Sequence, residues 1–172
     1  ARSLAVGCGK LGIRFILSCP PGYGFDEHFQ VLYRAKVSAE LPLEVTDPKA
    51  AVRQADVIYT DVWTSMGQEA ERDIRLQRFA PYQVNAALLA AAPPHCRFLH
   101  CLPAHRGEEV TDEVIDGPAS AVFQQAANRL HTQKALLEWL FSTNSPSPPS
   151  TPGVSASSTQ VASDALSEGR PR

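Results

Sequence analysis

The 172-residue chain lacks a long apolar run, a marked excess of charge and a disulfide-like cysteine pattern. No stretch approaches the roughly 20 apolar residues that cross a bilayer, and the first residues lack the order of a signal peptide. A formal net charge of -2 makes nucleic acid and anionic membranes unexpected partners. Four cysteines without framework spacing favour reduced thiols, in a cytoplasm or in a mitochondrial or plastid matrix.

The apolar residues that are present alternate between helical and strand-like spacing, which predicts an α/β fold with a parallel sheet. A helix is predicted from Ser3 to Leu11, and a final helix from about Gln125 to Phe141. The final helix carries Leu130, Lys134, Leu137 and Phe141 at helical spacing, and its aliphatic residues are expected to form a packing face. Between them we expect a strand over 13–18, a helix over about 27–38, a strand over 43–45 and a helix capped by Asp47 with Pro48 at its first position. Residues 142–172 are rich in serine and proline, which predicts a disordered tail.

One polar segment follows a β-branched run, Ala55 to Thr60, that predicts a strand ending at Asp61. Ser65 and Gln68 have the spacing of a capping box, so a helix is expected to start near Met66 with unpaired N–H groups that attract a carboxylate. Asp61 would supply the opposite charge for an ammonium group, and the pair suits a zwitterionic amino acid. The alternative is that Ser65 only caps the helix and Asp61 only closes a turn.

A second polar segment follows the predicted buried strand Cys96 to Leu99 and reads His-Cys-Leu-Pro at residues 100–103. Pro103 ends the strand, which leaves the Cys101 side chain and the Leu102 carbonyl free to face a cleft. The alternative for Cys101 is a small buried apolar residue.

Five potential soft-metal ligands crowd into eleven residues around this segment: His95, Cys96, His100, Cys101 and His105. Side chains alternate between the two faces of a strand, so these ligands are expected to point apart. We therefore predict no metal site; His100 is expected to be a strand-end residue, and His95 and His105 ordinary loop residues.

The two polar segments resemble those of the ornithine carbamoyltransferases, within the aspartate/ornithine carbamoyltransferase family. The family's Asp-x-x-x-Ser-Met-Gly motif is matched from Asp61 to Gly67, and its His-Cys-Leu-Pro motif at 100–103. Residues 122–129 resemble the family segment that ends in Glu-Asn-Arg, with Ala127 in place of Glu and Arg129 retained. The resemblance runs from about Ser3 to Leu140; aspartate carbamoyltransferases have His-Pro-Leu-Pro and lack Ser-Met-Gly.

This resemblance implies roles for six residues. Asp61 and Ser65 would hold the ornithine α-amino group, and the Met66 backbone N–H its carboxylate. Cys101 with Asp61 would accept or orient the proton of the side-chain amine. Cys101, Leu102 and Arg129 would contact carbamoyl phosphate, the Leu102 carbonyl through the carbamoyl NH₂ and Arg129 through the carbamoyl oxygen and the phosphate. Without the resemblance, Arg129 is a solvated surface charge.

The resemblance also implies an arrangement of domains and a reaction. Residues 1–141 would be a Rossmann-like ornithine-binding domain, incomplete at its N-terminus, because Met66 is the only methionine and no strand precedes the first helix. The family's Ser-x-Arg-Thr and His-x-x-Gln motifs for carbamoyl phosphate are absent, so we expect a fragment or a degenerate remnant. The complete protein would be a homotrimer that carbamoylates L-ornithine to L-citrulline in arginine biosynthesis, without cofactor or metal. The alternatives are a non-catalytic amino-acid-binding module and a carbamoyltransferase for putrescine or another amine.

Overall fold

Helices and short strands alternate along the chain, as the apolar spacing predicts. The computed structural model describes residues 1–64, 67 and 69–144. Its elements in chain order are α1 (Arg2–Lys10), β1 (Ile16–Ser18), α2 (Glu27–Lys36), β2 (Leu43–Val45), α3 (Pro48–Val52), β3 (Val57–Thr60), a 3₁₀ turn (Glu69–Glu71), α4 (Arg72–Phe79), a second 3₁₀ turn (Ala80–Tyr82), α5 (Ala86–Leu89), β4 (Arg97–His100), α6 (Asp112–Ile115) and α7 (Val122–Asn144). The short helices α5 and α6 have no predicted counterpart.

All four described strands pair in parallel, which confirms the α/β class. They form two separate two-stranded sheets, β1 with β2 and β3 with β4, rather than one sheet across the described part of the chain. In the second sheet Val57 lies opposite Arg97 and Thr60 opposite His100. Parallel neighbours need a crossover, and residues 61–96 provide it between β3 and β4.

Strand β1 is shorter than predicted because Ile13, its expected first residue, instead takes part in the end of α1. Gly12 has φ 68, and the Ile13 N–H donates to the Cys8 carbonyl at 2.8 Å. These contacts satisfy a helix-terminal carbonyl in the manner of a C-cap. Ile13 is 55% exposed and the strand begins at Ile16.

The predicted start of α3 is confirmed. The Asp47 side chain accepts a hydrogen bond from the Lys49 N–H at 2.9 Å, and Pro48 is the first helical residue. This cap satisfies one of the N–H groups that lack a partner within the helix.

Two apolar clusters support the two sheets. One surrounds Phe29 and packs α1 against α2. The other surrounds Phe98 of β4, which is fully buried, and includes Ile58, Ile115 and Val122. Segment 119–121 runs beside β4: the Phe98 N–H donates to the Ala119 carbonyl and the Ala121 N–H to the Phe98 carbonyl, both at 2.9 Å. The start of α7 is thereby fixed against the strand that leads into the His-Cys-Leu-Pro segment.

Helix α7 is longer than predicted at both ends. It begins at Val122, whose N–H donates to the Ser120 Oγ at 3.4 Å, and it continues three residues past the expected boundary at Phe141. Asn144, its last residue, is also the last described residue of the chain. The predicted packing face is wrong at Leu130 and Leu137, which are 62% and 54% exposed.

Residues 142–144 of the predicted tail belong to α7, and the rest of that tail, residues 145–172, lies outside the described residues. Among the helices of the described part, none combines the length and the apolar character that crossing a membrane requires.

Candidate active site

The parallel register of β3 and β4 brings the two polar segments together. Because Thr60 lies opposite His100, the next residues, Asp61 and Cys101, leave the sheet side by side. The Cys101 Sγ donates to the Asp61 Oδ1 at 2.9 Å, and the Val62 N–H donates to the same oxygen at 2.8 Å. A thiol and a carboxylate therefore meet at the carboxyl ends of two parallel strands, the usual ligand position in α/β sheets.

The surroundings keep the thiol in its protonated form. Burial, and then the hydrogen bond and charge of Asp61, raise the pKa of Cys101 above its ordinary value. Burial, and then the neighbouring Cys101, raise the pKa of Tyr59 to about 12. At neutral pH the site therefore presents a thiol and a phenol beside a carboxylate.

The residue after Cys101 adopts an unusual backbone conformation. Leu102 has φ 57, the left-handed region, which costs a residue with a Cβ roughly 1–2 kcal/mol. Its N–H donates to the His100 Nδ1 at 2.8 Å. Such a conformation persists where the surroundings hold it, and here the preceding histidine ring contributes.

That ring belongs to a buried polar pair. The side chains of His100 and Glu109 have no exposed surface, and the His100 Nε2 lies 3.2 Å from the Glu109 Oε1. Because the Nδ1 accepts the Leu102 N–H, the proton of a neutral ring sits on Nε2 and is donated to Glu109. Burial alone would raise the pKa of Glu109, but the hydrogen bonds from His100 and from backbone N–H groups outweigh it, and the pKa lies below its ordinary value.

Helix α7 connects this turn to Arg129. The Gln125 Oε1 accepts a hydrogen bond from the His100 backbone N–H at 3.1 Å. Arg129 lies one helical turn further on, is exposed and makes no ion pair with another described residue. A groove of about 510 Å³ runs along this face, lined by Leu99, Ala121, Gln124, Gln125, Asn128, Arg129, Thr132 and Gln133.

The predicted helix start falls in a part of the chain that is only partly described. Ser65, Met66 and Gln68 lie outside the described residues. Gly67 has φ 87 and lies in a turn, and the first regular helical residue afterwards is Glu69. The described helical residues begin at Glu69, and the left-handed backbone at residue 67 lies between them and the expected start near Met66.

Two residues of helix α4 contact Trp63, which lies three positions before Met66 in the chain. Trp63 is buried, and its carbonyl accepts a hydrogen bond from the Arg75 Nη1 at 3.3 Å. Trp63 also packs against Phe79, with ring centroids 5.9 Å apart.

The five potential soft-metal ligands around the His-Cys-Leu-Pro segment have separate partners. His95 bonds to Asp56, and the Cys96 thiol donates to the Arg97 carbonyl. His100 and Cys101 bond to Glu109 and Asp61, and the His105 ring lies 3.7 Å from the Glu108 carboxylate. Within the described part, a different group, His105, Glu108 and Glu109, has potential ligand atoms within 4.8 Å of one another. Glu108 is already paired with Arg72 there.

Three residues of the site were not predicted from the sequence: Tyr59, Glu109 and Gln125. Tyr59 stands two residues before Asp61, and the two-residue period of a strand could have placed both side chains on one face. Gln125 lies inside the recognised segment 122–129 without an assigned role. Glu109 has no local signal, because its partner is nine residues away in a different element.

The geometry defines a class of protein, a ligand-binding α/β domain with a carboxylate and a thiol at adjacent strand ends. The family model described as "Aspartate/ornithine carbamoyltransferase, Asp/Orn binding domain" matches residues 1–140. The chain therefore belongs to the aspartate/ornithine carbamoyltransferase family, as the motifs indicated.

Similar proteins support the same assignment. The ornithine carbamoyltransferase of Bacillus subtilis is 57% identical over 140 residues, which are 80% of this chain and 44% of the relative. The solved ornithine carbamoyltransferase of Pyrococcus furiosus superposes with a TM-score of 0.70 at 51% identity, over 80% of this chain and 44% of that chain. The anabolic enzyme of Campylobacter jejuni gives a TM-score of 0.75 at 30% identity, over 83% and 48%. The chain thus spans about half the length of the relatives it matches.

Proposed function

We propose that this chain is the ornithine-binding part of an ornithine carbamoyltransferase, which transfers the carbamoyl group of carbamoyl phosphate to L-ornithine and gives L-citrulline and phosphate. The observation that carries the proposal is the 2.9 Å contact between the Cys101 thiol and the Asp61 carboxylate. This contact lies where the family's two motifs meet. The family membership and the names of the relatives support the choice of substrates.

The contact is suited to binding an amine. Asp61 offers a carboxylate for a substrate ammonium group, and a hydrogen bond between charged groups is stronger than one between neutral groups. In our proposal Ser65 and the Met66 N–H complete the amino-acid site, although both lie outside the described residues.

Amine attack requires a proton acceptor, because a free alkylammonium titrates at roughly 10.4. The raised pKa of Cys101 brings the basicity of its thiolate closer to that of the amine. The positive charge of an arriving substrate ammonium offsets the negative charge of Asp61, and this favours the thiolate form of Cys101 over the thiol. The thiol first loses its own proton to solvent, and the resulting thiolate takes one proton from the ammonium. The amine lone pair then forms the C–N bond as the carbon–oxygen bond to phosphate breaks, and the departing phosphate takes the second proton from that nitrogen.

Arg129 and the Leu102 carbonyl would hold the other substrate. Arg129 is exposed and unpaired among the described residues, so its guanidinium is available for the carbamoyl oxygen and the departing phosphate. Further phosphate contacts would come from the part of the relatives that this chain does not span. We further propose that the complete protein is a homotrimer that acts without cofactor or metal, in the cytoplasm or in an organelle matrix.

Calorimetric titration tests the amine specificity. The chain is combined with the part of the Bacillus subtilis enzyme that it does not span, and is titrated with L-ornithine, putrescine and L-aspartate in the presence of carbamoyl phosphate. Tighter binding of L-ornithine with citrulline formation supports the proposal. Preference for putrescine, or ornithine binding without turnover, would replace it with one of the two alternatives given by the sequence.

A further inference from the structure

The buried carboxylate of Glu109 has no place in the proposed chemistry, yet it brackets the turn that carries Cys101 and Leu102. Its Oε1 lies 3.2 Å from the His100 Nε2 and accepts the His105 backbone N–H at 2.6 Å. His100 immediately precedes Cys101, and His105 follows the turn, so one oxygen holds both ends of residues 101–104. The His100 ring extends this hold, because its Nδ1 accepts the Leu102 N–H at 2.8 Å.

Packing alone does not account for a carboxylate at this position. Glu109 has 0% exposure beside the fully buried Val110, and its Oε2 is buried without a hydrogen-bond partner in the described part of the chain. Burying an ionised group is costly unless it is paired and hydrogen-bonded. An apolar side chain would fill the same space without that cost.

We propose that Glu109 is a positioning residue, which acts through His100 to fix the Cys101–Leu102 turn in the conformation that the active site requires. The left-handed Leu102 backbone is held from its own N–H by the His100 ring, and the ring is held by the carboxylate. The link to carbamoyl transfer rests on the proposed function, whereas the fixation of the turn does not.

The first test measures the His100 tautomer in the chain itself. Nitrogen-15 NMR of the imidazole rings at neutral pH is expected to show His100 as a neutral ring protonated at Nε2. A ring protonated at Nδ1 could not accept the Leu102 N–H and would overturn the proposal. This result depends on no variant.

The second test uses thiol alkylation, followed by mass spectrometry of the separate cysteine peptides. Glu109→Ala should raise the alkylation rate of Cys101 at least about tenfold, because the turn then opens locally. Cys96, buried at the other end of β4, should keep its rate, and Glu109→Gln should restore most of the protection of Cys101. Glu113→Ala, which removes an exposed carboxylate from the first turn of α6, is the matched control and should change neither rate.

Equal acceleration of Cys96 and Cys101 would mean that Glu109 only stabilises the fold, and no acceleration of Cys101 would mean that it does not hold the turn. Either result overturns the proposal. If Glu109→Ala does not fold, Glu109→Asp replaces it, because the shorter aspartate side chain cannot reach both donors. The alkylation rates of Cys96 and Cys101 in Glu109→Asp are then compared in the same way.

A kinetic assay connects the turn to catalysis. It uses the chain combined with the part of the Bacillus subtilis enzyme that the chain does not span. Glu109→Ala should lower kcat by at least about tenfold with little change in KM for ornithine, because Asp61 still holds the amine. A rise in KM alone would contradict this role. If the unaltered protein forms no citrulline, the proposed function fails, while the thiol and NMR results still decide whether Glu109 fixes the turn.

Discussion

Replacing Asp61 by asparagine isolates the charge that the proposed amine site depends on. The Asp61 Oδ1 accepts hydrogen bonds from the Cys101 thiol at 2.9 Å and the Val62 N–H at 2.8 Å. The amide oxygen of asparagine can accept both, so the strand ends should keep their geometry. What is lost is the negative charge opposite the substrate ammonium.

The expected magnitude follows from this difference. A hydrogen bond to a charged group contributes about 1.5–3 kcal/mol, and every 1.4 kcal/mol changes a dissociation constant about tenfold. Asp61 is exposed, and solvent screening places the effect at the lower end. We therefore expect Asp61→Asn to raise the dissociation constant of L-ornithine about tenfold or more.

The assay is calorimetric titration of the chain combined with the complementary Bacillus subtilis part. Asp56→Asn is the matched control: it makes the same change at the opposite end of β3, where Asp56 is exposed and pairs with His95. L-2-Aminopentanoate, which lacks the side-chain amine, is titrated in parallel to show whether Asp61 contacts the α-ammonium. An ornithine affinity unchanged by Asp61→Asn, or lowered equally by Asp56→Asn, would refute the reasoning.

Three further predictions concern the thiol, the core and the isolated chain. Cys101→Ser should strongly reduce the rate of citrulline formation and leave the free energy of unfolding nearly unchanged, because the hydroxyl keeps the contact with Asp61 but does not ionise readily. Comparable losses of activity in a kinetic assay and of stability in urea denaturation would make Cys101 a packing residue. Phe98→Ala should lower the free energy of unfolding by about 3–5 kcal/mol, since Phe98 is fully buried; a loss below 1 kcal/mol in urea denaturation would contradict the assigned core. The chain alone should form no citrulline from saturating substrates, because positioning and charge stabilisation of the phosphate donor need more than Arg129. It should become active when the part of the Bacillus subtilis enzyme that it does not span is supplied in trans; turnover by the chain alone would require a phosphate site within these residues.

The depressed pKa of Glu109 gives a pH dependence with a definite sign. A carboxyl whose pKa is lower in the folded state contributes stability that is fully present above its unfolded pKa, roughly 4.3, and that is lost as pH falls through the folded value. Unfolding measured between about pH 5 and pH 3 should therefore show a loss of stability that Glu109→Gln reduces. An identical pH profile in the variant would show that Glu109 does not titrate in this window.

The sequence alone determined the order of the strands and of most helices, although not the short helices α5 and α6, and it determined the chemistry of the strand ends. Local signals were sufficient there: Pro48 after Asp47 marked the start of α3, and the proline after Cys101 and Leu102 marked the end of β4. The two motifs identified the family because they consist of contiguous residues whose types and spacing can be read directly.

Only the tertiary structure decided which of these residues meet. The register of β3 against β4, set by packing around Phe98, places Asp61 against Cys101 although they are 40 positions apart. Glu109 reaches His100 from another segment, and Gln125 reaches it from α7. Neither contact leaves a periodic trace in the sequence, because pairing between elements depends on how the elements pack. The same reason explains the exposed Leu130 and Leu137: their helical spacing indicates an apolar face, but spacing does not say which surface that face meets.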